Sequence, residues 1–308
     1  MSLIAQLSKN VANLSTEINY WFVRTDYGDN FDTYYENGFI AIGWNYITLQ
    51  EIQGNDLGRM REKILKNEKF DPDAKRTKGK ITGIINKLIN FVELKKGDVV
   101  VIPSRNSSRY AFGIIEDDKV YTVTEPLYKC EHYKRRKVKW LEAKNMNDLD
   151  PHFYRMRLTQ HSISKINDYS QYIDNVVRTL YVRDNSAHFV LDIKTEEDIN
   201  VDSLLSLIQS FKSLSVEINS HFKLNEDIGK YSIKLNLQSP GQIEFKLPYG
   251  RTLIILALLV NISCGGNKAN NKVEPELDKF IKVHQKELTD IKKTLEDLEA
   301  DKDKINSL

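Results

Sequence analysis

Residues 20–25 alternate, with Trp21, Val23 and Thr25 on one side and Phe22 and Arg24 on the other, the period of a half-buried strand. A turn-rich patch follows at Gly28, Asp29 and Asn30, then a short helical piece with Phe31, Tyr34 and Tyr35. Phe39, Ile40, Ile42 and Trp44 form a second strand, interrupted by Gly43. Residues 56–92 predict two helices, the second over about 78–91 with Ile81, Ile84, Ile85, Leu88 and Phe91 along one face. The unbroken apolar run Val99, Val100, Val101 and Ile102 predicts a buried strand stopped by Pro103, and residues 110–115 predict its hairpin partner. Further strands start at Tyr121 and close at Val138, Lys139 and Trp140. Five or more short strands with hairpin loops, and helices inserted after the second, point to a small closed or nearly closed β-barrel over residues 18–170.

The flanking segments carry other patterns. Residues 1–17 read as an amphipathic helix, with Ile4, Leu7, Val11 and Leu14 three or four apart and Ile18 continuing the stripe. Residues 187–264 read as a small α+β assembly domain: a strand at 188–193, a helix at 201–222, and a hairpin turned at Ser239, Pro240 and Gly241. Its end, residues 253–262, is the most apolar run in the chain, yet as a helix it would span only about 15 Å, half a bilayer core. A helix buried between subunits is expected there, so a membrane partner is not. Residues 265–273 form a linker. Residues 274–305 form a charged helix with two heptad seams, Ile281, Leu288 and Leu295 on one and Leu277, Ile291, Leu298 and Ile305 on the other, a pattern that supports a coiled coil and a homo-oligomer. The whole is a multidomain α+β chain.

Composition narrows the picture a little. Of 308 residues 29% are charged, with a formal net charge of +2, so any basic surface must be local. Cys130 and Cys264 fit no metal or disulfide spacing, and the first 19 residues lack a basic start followed by an apolar core. A reducing, cytoplasmic location is expected.

Candidate chemistry is of the binding kind. The aromatics of residues 20–44 can wall a pocket for a flat polar ligand, or serve as core. Lys75, Arg76 and Lys78, just before the second helix, can hold a phosphate or simply solvate a helix start. Lys134, Arg135, Arg136, Lys137 and Lys139 form the densest basic patch, suited to a nucleic-acid backbone or to an edge strand protected by its charges. The six histidines are scattered without metal-ligand spacing, and neither a phosphate loop nor a nucleophile elbow is present. Asp192-Ile193-Lys194 and Glu244-Phe245-Lys246 match the Asp/Glu-x-Lys element of nucleases, a pattern short enough to arise by chance. No catalytic residue, metal or cofactor is assigned.

The blocks WFVRT, GFIAIGW, GKITGIINKLINFVELKKGDVVVIPS, RYAFGIIEDD and YKRRKVKW occur in that order. Together they resemble the PUA-like barrel of the EVE and YTH kind, in the version that precedes nuclease domains in Mrr-type restriction proteins. The resemblance implies a reader that takes a modified or flipped base into an aromatic-walled mouth and grips the flanking backbone. By motif position it carries over to Trp21, Arg24 and Trp44, and more weakly to the hairpin at 104–110. Stacking repays a few kcal/mol of lost base stacking only with added hydrogen bonds, for which Arg24, Ser104, Asn106 and Ser107 are the candidate donors. The implied partner is DNA or a modified nucleotide, and the implied role is a prokaryotic defence-type sensor or specificity protein working with a separate effector or nuclease subunit. The alternative is a nucleotide-ligand sensor whose distal half acts on a membrane or an effector.

Overall fold

The computed structural model describes residues 11–14, 18–159, 161–236, 240–266 and 275–308. The chain divides into two compact units, Ile18–Val177 and Arg178–Leu308, the latter joined by the described part of Met1–Glu17. Strand β1 (Ala12–Asn13) belongs to the second unit and pairs in parallel with a strand at Leu180–Arg183. A strand thus occupies residues 12–13, where a helix was expected; the rest of that expected helix, apart from residues 11 and 14, lies outside the described residues.

The first unit is built on one curled sheet, a half-barrel. Its strands are β2 (Tyr20–Val23), β3 (Phe39–Ile42), β4 (Val99–Pro103), β5 (Arg109–Ile115), β6 (Tyr121–Thr122), β7 (Lys134–Asn145) and β8 (Ile163–Lys165), in the order β3-β7-β5-β4-β2-β8 with β6 also on β7. β2 and β4 run parallel, Tyr20 opposite Val99, while the other pairs are antiparallel. The long β7 explains the curl. Residues 134–137 pair with β3 and residues 138–145 with β5, so one strand serves two directions. Its register with β5 shifts at Phe112/Gly113, a bulge where a Cβ on Gly113 would lie 2.5 Å from Val138.

Alternation sends Trp21, Val23, Val100 and Ile102 into one core and Tyr20, Phe22, Val99 and Val101 into another. β2 is therefore buried on both faces, where a half-buried strand was expected. The first core is covered by helices α1 (Phe31–Glu36), α2 (Leu49–Gln53), α3 (Leu57–Asn67) and α4 (Thr77–Glu93), with Ile81, Ile84, Ile85, Leu88 and Phe91 of α4 buried as their spacing predicts. The second core is closed by Phe153, Met156 and helix α5 (Ser170–Val177), which extends the unit past residue 170 through Ile173 and Val176.

The second unit has a five-stranded sheet that adds β9 (Leu180–Arg183), β10 (Ser186–Ile193), β11 (Ser232–Asn236) and β12 (Gly241–Pro248), in the order β1-β9-β10-β12-β11. One face, with Phe189, Leu191, Ile243, Phe245 and Leu247, packs with helices α6 (Val201–His221) and α7 (Arg251–Cys264) in a single core. The apolar run of α7 is buried within this unit, not held for a neighbouring subunit. Glu226 anchors its start, accepting from the Arg251 and Thr252 amides at 2.9 Å each. No helix among the described residues is long and apolar enough to cross a membrane.

The expected C-terminal helix is three: α8 (Pro275–Val283), α9 (Gln285–Asp297) and α10 (Lys302–Asn306). Members of both seams, Leu288 and Leu295 of one and Leu277, Ile291, Leu298 and Ile305 of the other, are buried in the same core as α7. The heptad spacing is satisfied inside the chain, so these positions do not serve a coiled coil between chains. A small α+β sheet needs apolar cover, and these short helices supply it.

Candidate functional site

Three neighbouring clefts of the first unit open around the turn that follows β2. In that turn Asp26 and Tyr27 take left-handed backbone at φ 50° and 58°, and Gly28 follows at φ 100°. Only glycine fits the third position, since a Cβ there would lie 2.2 Å from the Arg105 amide nitrogen. The close approach seats this turn on a second one after β4, where Asn106 and Ser107 are also left-handed at φ 57° and 54°. Thr25 ties the two together by donating its hydroxyl to the Pro103 carbonyl at 2.6 Å. Consecutive left-handed residues outside glycine cost free energy and cluster where structure serves binding.

The first cleft, about 520 Å³, lies between these turns and brings Arg24, Arg105 and Arg157 together with Ser104, Asn106 and Ser107. Among the described residues no carboxylate lines it. Arg24 is fixed by donating Nε to the Thr159 carbonyl at 2.8 Å and Nη2 to the Thr159 and Arg157 carbonyls. Arg157 donates to the Asn106 carbonyl at 3.3 Å. Three guanidinium groups beside hydroxyl and amide donors make an anion-binding surface.

The second cleft, about 450 Å³, shares Arg24 and is otherwise different: Trp44, Asn45, Tyr46 and Ser162 line it with Asp26, Glu68 and His132. Trp44 is partly exposed, at φ 53°. Lys134 donates to the Trp44 and Ile47 carbonyls at 3.0 and 3.1 Å and so holds this loop in place. His132 bridges inward and outward. Its Nε2 lies 3.2 Å from Asp26 Oδ2, and its Nδ1 lies 3.2 Å from the Tyr34 hydroxyl. Burial lowers the His132 pKa against the opposing pull of Asp26, with Lys134 lowering it further, so the ring is neutral at neutral pH. Burial pushes the Tyr34 phenol well above its usual value. The phenol therefore keeps its proton, which lies within reach of the Ala41 carbonyl at 3.3 Å and of His132 Nδ1. Asn30 donates to the same Asp26 oxygen at 2.7 Å. The third cleft, about 420 Å³, continues past Ser104 and Arg105 to Arg109 and Lys129.

Five of the six ligand residues expected from sequence meet here: Arg24, Ser104, Asn106 and Ser107 in the first cleft, and Arg24 and Trp44 in the second. Trp21 does not. It is 6% exposed within the core, its indole Nε1 donating to buried Asp98 Oδ2 at 2.9 Å, so no face is left for stacking. The basic strand is corrected as well. Lys134, Arg135 and Arg136 are buried on the part of β7 that pairs with β3, and the hydrogen bonds they make go to protein carbonyls, while Arg135 Nη2 and Arg136 Nε have no hydrogen-bond partner among the described residues. Arg136 donates to Val92 and Asp117 carbonyls at 2.9 Å each, and Arg135 to that of His132. Lys137 and Lys139 are exposed, as are Lys75, Arg76 and Lys78, and none of these five lines the three clefts.

Sequence reasoning missed Asp26, His132 and Arg157, and held Arg105 only within the hairpin at 104–110. The turn residues Gly28, Asp29 and Asn30 signalled the neighbourhood of Asp26, whereas Arg157 arrives from a 3-10 segment (Pro151–Leu158) with no motif. In the second unit Asp192 and Glu244 lie on paired strands, but Asp192 is bound by Lys304 at 2.7 Å and Gln242 at 2.6 Å, and Glu244 by His188 at 2.6 Å. Among the described residues no three His, Cys, Asp or Glu side chains converge as a metal cage.

No curated protein and no solved structure matches this chain. One family model, described as a domain of unknown function (DUF8426), matches residues 21–167, a span that lies within the first unit and holds every residue of the three clefts.

Proposed function

We propose that the first unit is a PUA-like reader of nucleotides, taking a base, free or extruded from modified DNA, against Trp44 in the second cleft with its phosphate among Arg24, Arg105 and Arg157 in the first. One observation carries this reading: Arg24 is the common wall of two clefts of opposite chemistry, one purely cationic and one mixed aromatic and acceptor-rich. A nucleotide has the same division, a planar edge with N–H groups at one end and an anion at the other. Base stacking on one aromatic ring supplies about 1–3 kcal/mol, and each arginine to phosphate adds a charge-assisted bond. In the wider role that the resemblance implies, the chain is the specificity part of a defence system and leaves cutting or signalling to a separate subunit.

The test is a titration of the full chain with nucleoside monophosphates and with short plain and base-modified oligonucleotides. Trp44→Ala should weaken the preferred ligand at least about tenfold. Arg157→Ala should weaken every phosphorylated ligand and reduce the salt slope of oligonucleotide binding by about 1. Affinity indifferent to both substitutions would refute the assignment.

A further inference from the structure

The second cleft contains an acceptor whose presentation is controlled. The Asp26 carboxylate is 53% exposed, yet its Oδ2 is held by Asn30 Nδ2, which donates to it at 2.7 Å, and lies 3.2 Å from His132 Nε2. Among the described residues no hydrogen bond to Oδ1 accompanies that of Asn30, so Oδ1 keeps both lone pairs and Oδ2 keeps one, enough to accept two adjacent donors. Asp26 sits at φ 50° at the start of the turn that Tyr27 and Gly28 continue. Asn30 comes from the cap of α1, and His132 comes from the segment before β7. Trp44 and Arg24 line the same cleft.

Resting on the nucleotide reading above, we propose that Asp26 is the specificity-determining residue of the Trp44 cleft and selects a guanine-type edge, in which an N–H and an adjacent amino group both donate to one carboxylate. The nucleobases divide cleanly on this point. Guanine presents N1–H beside its N2 amino group, two neighbouring donors. Adenine places the bare N1 acceptor beside its amino group, and cytosine places N3 there, so each sets a lone pair against the carboxylate. Uracil and thymine offer one N–H flanked by two carbonyls. A charged acceptor in a confined cleft loses its water to whatever binds, and a wrong edge leaves it unpaired. Asn30 is a positioning residue: it holds the carboxylate and touches no ligand in this scheme.

The experiment titrates the full chain with GMP, AMP, CMP and UMP, adds IMP and N1-methyl-GMP, and repeats the series with the same bases placed singly in an oligothymidylate strand. GMP should bind at least about tenfold more tightly than AMP. IMP, which lacks the amino group, should fall between them, and N1-methyl-GMP should bind no better than AMP. Asp26→Asn should erase the GMP preference while AMP affinity stays level or rises, and Asp26→Ala should erase it without that rise. The tighter of the free and strand-borne series identifies which source of the base the cleft serves. Equal binding of all four monophosphates, or a GMP preference that survives Asp26→Asn, overturns the proposal while leaving the nucleotide reading intact. Absence of binding by any nucleotide or strand overturns both.

Discussion

Trp21→Phe probes the tie that joins β2 to the turn before β4. The indole Nε1 reaches Asp98 Oδ2 at 2.9 Å. The same carboxylate accepts the Asn19 and Lys95 amides at 3.0 Å each. Asp98 is 2% exposed, so a donor removed from it is not replaced by bulk water. Losing one bond to a buried carboxylate costs about 1.5–3 kcal/mol, and the smaller ring leaves a void worth roughly another 1 kcal/mol. The chain has three tryptophans, Trp21, Trp44 and Trp140, and all lie in the first unit. Fluorescence-monitored urea unfolding of the full protein therefore follows that unit, and the variant keeps two reporters. With a slope of about 2 kcal/mol per molar urea, a loss of about 3 kcal/mol lowers the midpoint by about 1.5 M. Asp98→Ala should lower it further, because three donors lose their acceptor. Combining the two substitutions should return a coupling of about 1.5–3 kcal/mol. An unchanged midpoint for Trp21→Phe, or no coupling, would refute this account and return the ring to the list of ligand contacts.

Two further outcomes are expected from the same unit. Gly28→Ala places a Cβ 2.2 Å from the Arg105 nitrogen at φ 100°, so the two turns must separate; about 3 kcal/mol of stability should be lost by urea unfolding, and an unaltered midpoint would show that the turns are not in register. Burial pulls the Lys134 ammonium down to about 8 from 10.5. The folded pKa lies below the unfolded one, so the unfolded state binds the extra proton between pH 8 and 10.5, and folded stability rises with pH across that window. Relative to Lys134→Met, the wild-type unit should gain roughly 2–3 kcal/mol between pH 7 and pH 10; parallel stability curves for the two proteins would remove the buried cation from the argument.

Periodicity located the local elements well because it reports which positions avoid water. The stripe of α4 and the run at residues 99–102 are buried as their spacing implies. The same signal was silent on what covers an apolar stripe. The seams of residues 274–305 looked suited to a second chain, yet they close the core of their own unit. Charge misled in a related way. A basic run on a strand reads as surface, yet Lys134, Arg135 and Arg136 are buried, and the hydrogen bonds they make end on carbonyls remote in the chain or in neighbouring loops.

From the amino-acid order alone came most strands and helices of the first unit and the turn residues Gly28 and 104–107 that shape the clefts. These are properties of neighbours along the chain, set by side-chain period and by backbone angles few residues tolerate. Only the tertiary structure decided which of Trp21 and Trp44 faces a cleft, and only it brought Arg157 and His132 to Arg24 and Asp26 across more than a hundred positions of sequence. Cleft walls are assembled from residues remote in the chain, and no local period records that meeting.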